Sequence, residues 1–225
     1  MRRISEGARA VRLAREAVEF GLANPGGFRD IAAPFRSTDL PAWFEEPRGV
    51  FVTFTRERDG KLRGCVGYPL PIFPLRRAIP RAAWAAATED PRFPPIARAE
   101  LAELLLELSV LSPPERLPGG PERALEVRVG RDGLIVEAEG GSGLLLPQVA
   151  AERSWSAVRF LSETCRKAGL PIGAWRSERT TVRRFSAELF RERRPNGPVE
   201  AHELGDPAAG SVPEDRTEPP VTPPS

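Results

Sequence analysis

Residues 49–68 admit very few folds. Gly49-Val50-Phe51-Val52-Thr53-Phe54-Thr55 is β-branched and aromatic, Asp59-Gly60 is a strong tight-turn signal, and Lys61 to Val66 returns as a second run. Two such runs about an Asp-Gly step predict an antiparallel hairpin. Its return arm, Leu62-Arg63-Gly64-Cys65-Val66-Gly67-Tyr68, carries two glycines and a thiol where strands favour bulky residues. Side-chain alternation puts Leu62 and Val66 on one face and Arg63 and Cys65 on the other, roughly 6 to 7 Å apart along the strand. Gly64 and Gly67 leave the strand bare enough for another backbone or a ligand to approach.

The flanking segments predict a mixed α and β chain. From about Ser5 to Phe20, Ala10, Leu13, Ala14, Ala17 and Val18 form one helical stripe, with Arg9, Arg12, Arg15, Glu16 and Glu19 mostly elsewhere. Pro74 to Thr88 is an alanine-rich helix with proline at its start, and Glu89-Asp90-Pro91-Arg92-Phe93-Pro94-Pro95 ends it. Leu104 to Leu111 reads as a strand, because Leu106, Leu108 and Val110 alternate with Glu107 and Ser109. A second hairpin is predicted with Leu125, Val127 and Val129 turning at Gly130-Arg131-Asp132-Gly133 into Leu134-Ile135-Val136. Beyond the loop Glu139-Gly140-Gly141-Ser142-Gly143, Ala150 to Ala168 reads as one helix with Trp155, Val158, Leu161 and Cys165 on its stripe. Thr180 to Phe190 reads as one long strand.

Residues 195–225 hold eight prolines among polar residues and no aromatics, which predicts a disordered tail. Its six acidic residues and Arg216 give −5, so the remaining chain carries +7 of the total +2. The folded domain is therefore expected over 1–194.

Composition narrows the chemistry. The 225 residues can bury a core without disulfides. The two cysteines, Cys65 and Cys165, follow a charged N-terminus without a secretory pattern, so both are expected to be free thiols in a reducing, cytoplasmic setting, and no membrane span is expected. The single histidine, His202, falls in the predicted tail; on that reading the folded part has no imidazole for Ser-His-Asp or Cys-His catalysis or for a histidine-ligated metal. Only Lys61 and Lys167 interrupt an otherwise all-arginine set of 33 basic residues, a pattern of genome composition. A domain charge of +7 without a helix-turn-helix or ribonucleoprotein motif is weak support for nucleic-acid binding.

Each candidate residue has a plainer role beside its chemical one. Cys65 is a candidate nucleophile, its thiolate favoured by Arg63 and nearby backbone N–H groups, or else a small residue filling a tight place in a sheet. Cys165 sits on a core stripe. Glu89, Asp90 and Arg92 could do acid-base work or bind a cation, or could brace a proline-rich turn. Gly140-Gly141-Ser142-Gly143 could cradle an anion but lacks the P-loop spacing and lysine.

Four motifs occur in order: Leu62 to Tyr68, Glu89 to Pro95, Val129-Gly130-Arg131-Asp132-Gly133-Leu134-Ile135-Val136 and Gly143-Leu144-Leu145-Leu146-Pro147-Gln148-Val149. Together with Phe160 to Cys165 and Lys167 to Pro171 they resemble the AMMECR domain family, whose prokaryotic members are called AmmeMemoRadiSam system protein A. The resemblance covers about Ala8 to Phe190, with Val66 where isoleucine is usual, and it excludes the tail. It implies an α+β protein with antiparallel or mixed sheets flanked by helices. It further implies a larger lobe from both chain ends, a smaller lobe at roughly 112–147, and a cleft between them faced by the Leu62–Tyr68 strand.

The resemblance also implies a gene neighbourhood shared with a Memo-like protein and a radical SAM protein, and an activity not yet established. Cleft-lining candidates are Arg63, Gly64, Gly67, Glu89, Asp90, Arg92, Ser142 and Gln148, with Cys65 as the catalytic candidate and no metal site or cofactor assigned. Two function classes follow: an enzyme or enzyme component that binds a small molecule and uses Cys65, or a non-catalytic adaptor for the Memo-like or radical SAM partner.

Overall fold

The alternation that predicts the first hairpin also decides what lies beneath it. A computed structural model describes residues 4–26, 30–35 and 39–203. In it β1 (Val50–Arg56) pairs antiparallel with β2 (Leu62–Tyr68) and with β3 (Leu104–Leu111). The hairpin turns at Gly60, whose φ of 67° favours glycine. Val50, Val52, Phe54, Val66, Leu104, Leu106, Leu108 and Val110 all point to one face, where they pack with helices α1 (Ile4–Ala23) and α2 (Leu75–Thr88). Two strands from the far end of the chain, β8 (Ala187–Glu192) and β9 (Val199–Glu203), complete a five-stranded sheet of order β2-β1-β3-β8-β9.

Residue contacts divide the chain into two units, the first containing residues up to Val110 together with Glu188–His202, the second containing Leu111–Ala187. The protein is α+β, as expected. The second unit runs about forty residues beyond the 112–147 expected for a smaller lobe. It holds a four-stranded sheet of order β4-β7-β5-β6, made of β4 (Glu115–Arg116), β5 (Gly133–Ala138), β6 (Gly141–Leu145) and β7 (Thr181–Phe185). Helix α4 (Ala157–Lys167) sets Phe160, Leu161 and Cys165 against Leu134, Val136, Leu145, Val182 and Trp175.

Several sequence-based boundaries shift for local reasons. Leu125, Val127 and Val129 form no strand: Pro121–Leu125 is a 3-10 helix, and Leu125 is largely exposed. The Gly130-Gly133 segment is instead a tight turn in which Arg131 and Asp132 N–H donate to Arg128 O. The partner of β5 is β6, joined at Gly140 with φ 98°. Thus the glycine-rich stretch is strand, and a Cβ on Gly141 or Gly143 would lie 1.9 Å from Ala168 O or 2.6 Å from Ala168 N. Two of its glycines, Gly141 and Gly143, accommodate the end of α4.

The single helix expected over Ala150–Ala168 is two, α3 (Pro147–Glu152) and α4, because Ser154 turns left-handed at φ 50° and the Ser156 hydroxyl caps α4 by accepting from Arg159 N–H at 3.3 Å. Val158 is consequently exposed and off the core stripe. The predicted strand Thr180–Phe190 is interrupted at Ser186, with β7 in the second sheet and β8 in the first.

The expected tail begins too early. Residues 199–203 form β9 beside β8, closed by Arg193 N–H donating to Pro198 O, with Asn196 left-handed at φ 55°. His202 lies on β9, so the folded part does contain a histidine and the exclusion based on its absence falls. The remainder of that expected tail, residues 204–225, lies outside the described residues. Among the described residues no helix is long and apolar enough to cross a membrane.

Arg15 also departs from expectation. It is buried on α1, where its guanidinium pairs with Glu192 on β8 and donates to Leu101 O at 3.1 Å and Leu104 O at 2.8 Å. Glu192 also accepts from Leu106 N–H at 2.9 Å. One buried pair thereby ties the first helix to the last part of the chain and to β3. Breaking such a pair strands a buried charge at a cost of about 3–5 kcal/mol. Arg15→Met should lose about that much in chemical denaturation, whereas exposed Arg12→Met should stay within about 0.5 kcal/mol of the parent.

Candidate functional site

β2 is the edge of its sheet, so every second residue turns its N–H and C=O away from β1. Cys65 is one of these. Its N–H donates to Asp90 Oδ2 at 2.8 Å, which identifies Thr53–Cys65 as a cross-strand pair without ladder hydrogen bonds between its two residues. Side chains approach closest in such pairs, and the Thr53 hydroxyl lies 3.2 Å from the Cys65 sulfur.

Asp90 is itself 4% exposed and gathers three further donors: Arg92 N–H at 3.1 Å, Arg92 Nε at 2.9 Å and Arg92 Nη2 at 2.7 Å. Arg92 Nη2 also reaches Cys65 O at 3.5 Å. The Asp90–Arg92 pair thus replaces a missing neighbouring strand at Cys65. Burial pushes the Asp90 pKa up, but the Arg92 guanidinium and the N–H groups of Cys65 and Arg92 outweigh it and hold the carboxyl below its ordinary 3.8.

Arg63 fastens the same loop two residues earlier on β2. Its guanidinium makes a two-pronged contact with Glu100, with Nη2 to Oε2 at 2.9 Å, and donates to Pro94 O at 2.9 Å and Pro95 O at 3.4 Å. The Phe93 ring lies between the two arginines, 5.9 Å from Arg63 and 5.5 Å from Arg92. Hydrogen bonding to Arg63, the leading influence, holds the Glu100 pKa below its usual value. Both arginines of the expected site therefore anchor residues 90–100 along the edge of β2.

The glycines serve close packing within the chain. A Cβ on Gly64 would stand 2.1 Å from Ala86 O on α2, and one on Gly67 would meet the Phe51 ring and Val50 O at 2.3 Å. These sites receive helix backbone and a neighbouring aromatic ring. Glu89 is the exposed C-cap of α2, its N–H donating to Ala85 O at 2.8 Å. Burial raises the pKa of nearby Tyr68; Arg81 opposes this, while Glu89 and Asp30 add to it.

Ser142 and Gln148 belong to the second unit. Ser142 is exposed on β6 opposite Glu137, and Gln148 is buried on α3, its Oε1 having no hydrogen-bond partner among the described residues. Within the first unit, then, Cys65, Asp90 and Arg92 meet directly, Arg63 joins them through the loop, and Glu89 stands apart.

Sequence reasoning missed Thr53 and Glu100. Thr53 could not be read from the turn: centring the hairpin on Asp59-Gly60 would set it opposite Val66, whereas an irregularity between Phe54 and Thr55 shifts the register and brings it opposite Cys65, with Glu107 opposite it on β3. Thr53, Cys65, Glu107 and Ser109 are all buried on the sheet face away from α1 and α2. Glu100 gave no local signal, being thirty-seven residues from the arginine it binds. Among the described residues no group of three or more His, Cys, Asp or Glu side chains is arranged to hold a metal ion.

A carboxyl with a lowered folded-state pKa adds stability above its unfolded pKa and loses it as pH falls through the folded value. Asp90→Asn should therefore cost about 1–3 kcal/mol at neutral pH. The gap between parent and variant should narrow below pH 3.8, measured by urea denaturation across the acid range.

The geometry has close counterparts. The AMMECR1 family matches this chain over residues 11–190. Protein PF1979 of Pyrococcus furiosus is 49% identical over 198 residues, spanning 86% of this chain and 91% of that protein. A protein of Methanothermobacter thermautotrophicus is 48% identical, spanning 83% of this chain and 94% of its own length. The crystal structure of the uncharacterized protein PH0010 from Pyrococcus horikoshii superposes with a TM-score of 0.76 at 46% identity, covering 89% of this chain and 98% of that one. With a family match over most of its length and relatives of nearly half identity along it, the chain belongs to the AMMECR1 family.

Proposed function

We propose that this protein acts by binding a small molecule, as a component of a pathway with Memo-like and radical SAM proteins, and that Cys65 is a structural element of the binding scaffold. The observation that supports the structural reading of Cys65 is the state of the residues around the thiol. Arg63, Asp90 and Arg92, the groups that could activate a nucleophile or hold a reacting anion, are engaged with Glu100, the Pro94 and Pro95 carbonyls, Cys65 N–H and one another. The sulfur packs against Thr53 in a residue only 7% exposed. A reactive cysteine needs an accessible sulfur beside a cation or base able to favour the thiolate. Here the cations fasten a loop. The pathway context rests on the family resemblance and the neighbourhood it implies.

Two mass-spectrometric readouts and one labelling rate test this. Protein purified under native conditions should carry a non-covalent small-molecule adduct, and Cys65→Ser should retain it. Denatured chains should show no covalent adduct at Cys65. Iodoacetamide should label Cys65 in the folded protein about tenfold or more slowly than in urea. A covalent intermediate mapped to Cys65, or fast labelling of the folded protein, would replace binding with thiol catalysis.

A further inference from the structure

The second unit contains a polar cavity of about 280 Å³ that none of the motifs anticipated, lined by Arg128, Arg131, Arg184, Ser112 and Ser186 with Glu115, Asp132 and Phe185. Its walls are built. Asp132 is 4% exposed and its carboxylate accepts Arg128 N–H at 2.9 Å, while Arg131 and Asp132 N–H both donate to Arg128 O. Gly130, with φ 88°, supplies the left-handed residue this turn requires. The turn is thus closed on itself and carries two guanidinium side chains.

On the other wall Ser112 and Ser186 are crossed: Ser112 N–H donates to Ser186 O at 2.8 Å and Ser186 N–H to the Ser112 hydroxyl at 3.0 Å. Arg184 is braced by Glu115 at 3.3 Å and by Glu126 O at 2.8 Å.

The charges do not cancel. Glu115 is neutralised by Arg184, and the Asp132 carboxylate is directed to the backbone of the turn. Arg128 and Arg131 have no side-chain hydrogen bond or ion pair among the described residues. Two guanidiniums on a rigid turn, hydroxyls opposite and a third arginine held in place make a surface that matches the oxygens of a tetrahedral or planar oxyanion. Guanidinium forks pair with such oxygens through parallel charge-assisted hydrogen bonds. The volume suits a small metabolite.

We infer that this cavity is an anion-binding site that takes a small molecule through its phosphate or carboxylate group, with Arg128 and Arg131 as the contact residues. The inference goes beyond the reading of Cys65 and does not depend on it.

Inorganic phosphate and acetate are the probes, titrated calorimetrically against the whole chain at constant ionic strength, with chloride as the reference. Phosphate should bind the parent protein, and Arg128→Gln and Arg131→Gln should each weaken it about tenfold, as expected for loss of a charge-assisted contact. Arg179→Gln, at an exposed arginine outside the cavity lining, should leave binding unchanged. Acetate binding as tightly as phosphate assigns the site to carboxylates, and tighter phosphate assigns it to phosphate esters. Because both arginine side chains are exposed, the variants should unfold at the parent temperature, which separates lost binding from lost fold. The inference is overturned if neither probe binds more tightly than chloride, or if the Arg128 and Arg131 variants bind as the parent does.

Discussion

An edge strand must do something with its outward N–H and C=O groups, and this protein answers with a carboxylate. Asp90 takes the Cys65 N–H that no neighbouring strand receives, and Arg92 closes the arrangement by binding Asp90 on both oxygens and reaching Cys65 O. Arg63 pins the following residues through Glu100 and two proline carbonyls. The glycines complete the same design. Gly64 lets the end of α2, from which the loop departs, approach to where a Cβ would meet Ala86 O, so strand, helix end and loop become one unit. Prolines suit this loop because Pro94 and Pro95 need only offer carbonyls.

That arrangement changes the meaning of the residues that look most like a catalytic set. Cysteine beside arginine, followed by an Asp-Pro-Arg turn, resembles chemistry when read along the chain. In three dimensions the charged groups satisfy one another around a backbone amide, and the thiol lies against Thr53. Chemistry that binds is better supported elsewhere: of the three arginines the second unit sets around a cavity, only Arg184 has an acidic partner among the described residues, where the first unit sets its arginines into a seam. A buried pair, Arg15–Glu192, performs for the chain ends what Asp90–Arg92 performs for the strand edge, which explains why β8 and β9 belong with the N-terminal helix.

Much of the first unit was legible because its signals are local. Alternation fixed β1, β2 and β3, the alanine spacing fixed α2, and the stripe on α1 ran true apart from Arg15, which looked solvent-facing because its partner is 177 positions away. The second unit was harder. Leu125, Val127 and Val129 alternate like a strand, but Leu125 ends a 3-10 helix and Val127 and Val129 follow it into the turn, where Asp132 accepts the Arg128 N–H and ends the pattern. The Gly140–Gly143 run looked like a loop because glycine is poor in strands, yet the approach of Ala168 requires it. Ser154 and Ser156 did carry a signal for the break between α3 and α4, a helix stop followed by an N-cap, but the apolar stripe across them was stronger. In the site, Cys65, Asp90 and Arg92 were recognisable as residue types; that they face one another through a backbone amide was not, because hydrogen bonds to main chain leave no trace in side-chain patterns.

Hydrogen–deuterium exchange at the Cys65 amide is the most direct measurement of the strand-edge seam. The account predicts that this amide, though on an edge strand, is strongly protected in the parent protein, and that Asp90→Ala releases it while amides of β1 keep their protection. Rapid exchange at Cys65 in the parent, or protection unchanged by Asp90→Ala, would contradict it.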